Sequence, residues 1–130
     1  MGLPGEDVVF LDLTAGGLTA EGTVEMFPPP VYFTAFVDGA AVPDKAALMA
    51  ALASAFRFPS YFGKNWDALL DCLRSLPEFN AAGGYALVVR NSAAFLAGSP
   101  SDMENFRDVV QTAAVFLREK LKIPFKVVLL

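Results

Sequence analysis

Three short runs of β-branched and aromatic residues, set far apart and separated by stretches of helical periodicity, constrain this chain most. They are Val31 to Val37 (VYFTAFV), closed by Asp38-Gly39, then Tyr85 to Arg90 (YALVVR) and Phe125 to Leu130 (FKVVLL). The last two lack polar alternation, which is the pattern of strands covered on both faces. After the first run, Pro43 and Asp44 open a helical stripe carrying Leu48, Leu52 and Phe56, and a second helix is expected from Asn65 to Leu76. Ser101 and Glu104 have the spacing of a capping box for a longer helix, in which Met103, Phe106, Val110, Ala113 and Leu117 repeat at helical intervals. Strands alternating with helices predict the α/β class: a small parallel sheet with helices packed on it.

The first 30 residues read differently. Val8 to Leu13 and Thr23 to Phe27 are expected to pair as a β-hairpin across a loop containing Gly16, Gly17 and Gly22. Pro28-Pro29-Pro30 is expected to form a stiff extended connector, because proline fixes φ and donates no backbone hydrogen bond. Residues 1–30 are thus an N-terminal extension to an α/β unit over 31–130, within one domain.

Composition narrows the function. A chain of 130 residues, 55% hydrophobic, is long enough to bury a core without disulfides or metals. No apolar run reaches the roughly 18 to 20 residues of a membrane span, and the start MGLPGEDVVF lacks the basic and apolar regions of a secretory signal. The single cysteine, Cys72, forms no internal disulfide, so a cytoplasmic location is expected. Fourteen acidic side chains stand against 10 basic ones, which disfavours direct nucleic-acid binding and favours a basic protein as partner. There is no histidine, which removes catalytic triads, His-based zinc sites and imidazole general bases. No enzymatic activity, metal or cofactor is expected, nor any membrane contact.

The segment from Phe58 to Leu73, FPSYFGKNWDALLDCL, holds the functional signal. Pro59 and Gly63 mark a turn-rich loop displaying Tyr61 and Phe62, and Asn65 can cap the helix that follows. At about 100° per residue, Trp66, Leu69, Leu70, Cys72, Leu73 and Leu76 share one arc, while Asp67 and Asp71 lie outside it about 40° apart. A carboxylate in a first helical turn, such as Asp67, is favoured by the helix dipole. Asp71 lacks that advantage and is repelled by its i−4 neighbour by a few tenths of a kcal/mol, an amount Arg74 could offset. A solvated acidic face and a binding face both fit these residues. Trp66 fits both core packing and the rim of a binding surface, and Cys72 reads as a small buried hydrophobe.

Pro59, Tyr61, Phe62, Gly63, Asn65, Trp66, Asp67, Ala68, Leu69, Asp71, Cys72 and Leu73 together resemble the signature segment of the barstar family, small acidic proteins that inhibit secreted guanyl-specific ribonucleases inside the producing cell. The likeness is closest over residues 58–73; over 31–130 the strand and helix order is similar, and 1–30 is unmatched. The resemblance implies a partner-binding set of Tyr61, Phe62, Gly63, Asn65, Trp66, Asp67, Leu70 and Asp71. Within it, Asp71 takes the place of a substrate phosphate, Asp67 pairs with basic groups at the same mouth, Tyr61 reaches toward the catalytic region, and Gly63 allows close backbone approach. Leu70 stands where the family's best-known member has an aromatic, and Phe62 where it has a second tyrosine. For a further acidic contact late in the long helix, Glu119 is the candidate. The implied function is 1:1 inhibition of a ribonuclease with a cationic active site by a chain that is monomeric when free. A barstar-like adaptor or regulatory module with another protein target is the alternative.

Overall fold

The computed structural model describes residues 9–17, 19, 21–60 and 62–130, with Val24 described by its backbone alone. Four strands, β1 (Phe10–Asp12), β2 (Tyr32–Asp38), β3 (Gly84–Arg90) and β4 (Phe125–Leu129), form one parallel sheet in the order β1-β4-β3-β2. Four helices follow the predicted alternation: α1 (Lys45–Phe56), α2 (Trp66–Arg74), the short α3 (Leu76–Phe79) and α4 (Pro100–Leu121). The two central strands are the ones whose sequences lack polar alternation. Tyr85, Ala86, Val88, Val89, Val127 and Val128 are all inaccessible to solvent.

The helices cover one face of the sheet. Leu48, Leu52 and Phe56 of α1, Leu69 and Leu73 of α2, and Phe106, Val110, Ala113 and Leu117 of α4 meet Ala35, Leu87 and Val127 in the main core. Each of these helices has an identifiable start. Asp44 caps α1, its Oδ1 accepting from Ala47 N at 3.0 Å, and Asn65 caps α2 in the same way from Ala68 N at 2.8 Å. Helix α2 stops at Arg74, two residues short of the predicted Leu76. Ser75 N closes it on the Asp71 carbonyl, and a separate short helix, α3, begins at Leu76 with Pro77 in its first turn, where proline's missing N–H costs nothing.

Three local expectations are corrected. The N-terminal hairpin does not form: Phe10 to Asp12 instead extend the sheet beside β4, Phe10 opposite Val127 and Asp12 opposite Leu129. Residues Glu21–Glu25 wind into a 3-10 helix rather than a strand. The physical reason is that β4 offers an open, β-branched edge. Gly17, at φ +67°, turns the chain off after Asp12, and Met26 N and Phe27 N both fold back onto the Thr23 carbonyl. Phe27 then lies on the second face of the sheet against Ala86, Val88 and Val128. The proline run turns instead of extending, with Tyr32 N donating to the Pro28 carbonyl at 3.2 Å. The capping box at Ser101 and Glu104 is also absent. Helix α4 starts earlier, with Pro100 in its first turn, where proline's missing N–H costs nothing. Asp102 Oδ2 meanwhile accepts from Lys45 N at 3.2 Å and ties the start of α4 to the start of α1.

Candidate functional site

Helix α2 is divided sharply by its sequence. Leu69, Cys72 and Leu73 are buried, and the helix packs against α4; Asp67 and Asp71 are exposed on the opposite side. Their i, i+4 spacing makes the two carboxylates neighbours on the helix surface. Neither side chain engages a hydrogen bond or ion pair with a described residue. Arg74 does not compensate them. Its guanidinium lies toward α4, 5.7 Å from the centre of the Phe116 ring, and its Nε is buried with no hydrogen-bond partner among the described residues. The repulsion of a few tenths of a kcal/mol between the two aspartates is therefore left in place by the fold.

The loop that enters α2 is held from inside by aromatic rings. Phe58 stacks on Phe56 at 6.1 Å, meets Phe62 edge-on at 5.0 Å and Phe79 edge-on at 6.1 Å. Phe62 is consequently buried, not displayed, with Phe62 N donating to the Pro59 carbonyl at 3.1 Å. Phenylalanine here needs no partner for a hydroxyl, which suits an inward ring. Tyr61 lies outside the described residues. Gly63 is exposed and its φ is not positive; the left-handed residue is its neighbour Lys64, at φ 55°. Asn65 is committed to the cap, its Oδ1 bound to Ala68 N and its Nδ2 donating to the Gly63 carbonyl at 3.4 Å. Whatever it offers a partner, it first fixes where α2 begins.

Trp66 is half-buried, packed against the core on one side with Lys45 Nζ 5.9 Å above its ring on the other, so it shares both roles read from the sequence. Leu70 is half-buried against the same core. Cys72 is buried and in no disulfide, and its thiol is pushed up from the ordinary value by burial and then by the Asp71 carboxylate, which suits an inert hydrophobe. Glu119 is exposed near the end of α4, with its carboxylate 3.8 Å from Arg118 Nη2.

The structure adds a feature that linear spacing hides. An open groove of 680 Å³ runs between the end of α2 and the end of α4, lined by Asp71, Arg74, Glu78, Phe116 and Leu121 among others. Asp71 lines it; Glu119 does not, although Leu121, two residues on, does. Arg74 and Phe116 belong to one surface with Asp71 because α2 packs on α4. The pairing of Asp71 with Arg74 at i, i+3 was the only sequence signal pointing there. Among the described residues no group of His, Cys, Asp or Glu is arranged to hold a metal ion, and no helix is long and apolar enough to cross a membrane.

Comparison with curated proteins finds no match. The family model described as "Barstar (barnase inhibitor)" matches residues 32–130, from the first residue of β2 to the end of the chain, and so takes in α1, α2, α4 and both aspartates. The strand β1 falls outside it. With three-quarters of its length matched, and a sheet and helices in the expected order, the chain belongs to the barstar family.

Proposed function

We propose that this chain inhibits a guanyl-specific ribonuclease, binding it 1:1 and covering its active site with α2 and the loop before it. The observation that carries the reading is the state of Asp67 and Asp71: adjacent, exposed, and unengaged by the described residues of their own chain. A ribonuclease gathers cationic groups to hold phosphate, and carboxylates fixed on a rigid helix can take that place without being turned over. The rigidity comes from the Asn65 cap and from Leu69 and Leu73, which leave α2 little freedom to lose on binding. Asp71, which lines the groove, is the phosphate mimic, and Asp67 pairs with cations beside it. Phe62 serves by anchoring the loop from within. A lone, buried Cys72 outside any disulfide is compatible with action in the cytoplasm before the enzyme is exported.

Titration of barnase and related microbial guanyl-specific ribonucleases with the purified chain should abolish cleavage at one equivalent. The association rate should fall steeply as salt is raised, since the encounter is steered by charge over about a Debye length. Absence of inhibition across such a panel at micromolar concentration, or an association rate indifferent to ionic strength, contradicts the proposal.

A further inference from the structure

The groove between the ends of α2 and α4 holds charges of both signs. Asp71, Arg74 and Glu78 all line it, acidic, basic and acidic in chain order, beside the apolar side chains of Phe116 and Leu121. Asp71 precedes Arg74 by three residues within α2, a spacing at which an aspartate and an arginine commonly pair on a helix surface. Glu78 follows in α3 and is exposed. Neither carboxylate pairs with Arg74, and neither engages another described residue. The guanidinium rests instead 5.7 Å from the centre of the Phe116 ring, and its Nε is buried with no hydrogen-bond partner among the described residues.

A cation in the last turn of α2 is favoured by the helix dipole, which accounts for a basic residue at this position. The dipole does not account for a donor left without an acceptor while two carboxylates line the same groove. Such a donor carries its desolvation cost uncompensated in the free chain, and an acceptor brought by a partner removes that cost.

We propose that Arg74 receives a carboxylate of the target ribonuclease, and so selects enzymes that carry an acidic group beside their phosphate-binding cations. This rests on the inhibitory reading of α2 and deepens it. A guanidinium holds a carboxylate through two parallel N–H bonds, and rotation off the Phe116 ring brings the Nε donor within reach of one. An enzyme that cleaves RNA by general acid–base chemistry has use for a carboxylate beside the cations that hold phosphate. Docked on the groove, its cation meets Asp71 and its carboxylate meets Arg74, two ion pairs of opposite sense side by side. An enzyme whose mouth holds cations alone meets Arg74 as a like charge and is bound less well. Nucleic acid does not fit the same groove, because Asp71 and Glu78 on either side of Arg74 repel a run of phosphates.

The test compares the full-length parent with Arg74→Gln and Arg74→Lys on a ribonuclease that the parent inhibits, by stopped-flow association and competitive dissociation. Arg74→Gln should weaken the complex by about tenfold or more, through faster dissociation. Its association rate should hold or rise, because the variant is more acidic and the encounter is steered by charge. Arg74→Lys keeps the cation at the end of α2 but not the planar fork, and should show part of the same loss; if Arg74→Gln unfolds, this variant carries the test. Acidic residues at the enzyme's active-site mouth are then changed one at a time to their amides. One such change should weaken the parent complex and leave the Arg74→Gln complex as it was. If Arg74→Gln binds as tightly as the parent or tighter, or if no acidic residue of the enzyme couples to Arg74, the proposal is overturned while inhibition by α2 stands. If the parent inhibits no ribonuclease, both fall together.

Discussion

Helices α1 and α2 do the same work on their inner sides and opposite things on their outer sides. Both bury leucines completely, Leu48 and Leu52 in one and Leu69 in the other, and both are capped by a side-chain oxygen three residues ahead of its donor. Outward, α1 shows Ala46, Ala50 and Ser54, while α2 shows Asp67 and Asp71. In α2 the fold uses the apolar stripe fully and leaves the carboxylates in solvent, unengaged by the described residues of their own chain. In α1 nothing on the outer face resists contact with another apolar surface. The same core requirement is thus compatible with two different surfaces, and it is the outer residues that distinguish them.

The strongest way to break this comparison is to cut the shared inner side. Leu69→Ala and Leu52→Ala should each cost about 2 to 5 kcal/mol of folding stability, because both sites are closed to solvent and leave a cavity. Chemical denaturation at equilibrium measures it, and a loss under 1 kcal/mol at either site would mean that the two helices are not equivalent inside. A smaller effect is expected at the cap of α2. Asn65→Ala removes the bond to Ala68 N and should cost about 1 kcal/mol of stability. It should also weaken ribonuclease binding, because the start of the acidic helix is no longer fixed; a variant equally stable and equally inhibitory would show that the cap is dispensable.

The smallest expected effect concerns pH. The Cys72 thiol is raised in the folded chain, by burial first and by Asp71 second. Above the ordinary thiol value, about 8.5, the unfolded chain releases its proton while the folded chain still holds it. This contribution to stability is present below that pH and is lost as pH rises toward the folded value. Cys72→Ala should flatten the alkaline side of the stability profile after allowance for its lost packing, and the parent thiol should resist iodoacetamide at pH 8 until the chain is unfolded. Rapid alkylation of the native protein would place Cys72 on the outer side of α2 and undo the division of that helix.

Much of the fold was legible because its signals are local. The β-branched runs of β2, β3 and β4, the stripe of α1 and the caps at Asp44 and Asn65 need only a few neighbouring residues to be read. The pairing of β1 was not legible. Three residues found a parallel partner in β4, more than a hundred positions away, and no hairpin turn in the sequence forced the alternative. The site divides along the same line. Asp67 and Asp71 were placed outward by helical periodicity alone, and the structure agrees. The inward turn of Phe62 depends on Phe58 and Phe79, which the fold brings together, and the swing of Arg74 toward Phe116 depends on α4. Neither contact can be read from spacing within the loop or the helix.

The account turns on Asp71, and the decisive measurement compares Asp71→Ala with Ser75→Ala for both folding and inhibition. Removing Asp71 relieves its repulsion with Asp67 and opens no cavity, so stability should stay within about 0.5 kcal/mol of the parent. Binding to the ribonuclease should weaken by about 2 to 5 kcal/mol or more, because the enzyme's cation is left buried and unpaired. Ser75→Ala, one turn on, should leave binding close to that of the parent. If Asp71→Ala inhibits as tightly as the parent, or fails only because it unfolds, this aspartate is not the phosphate mimic and α2 is not the inhibitory surface.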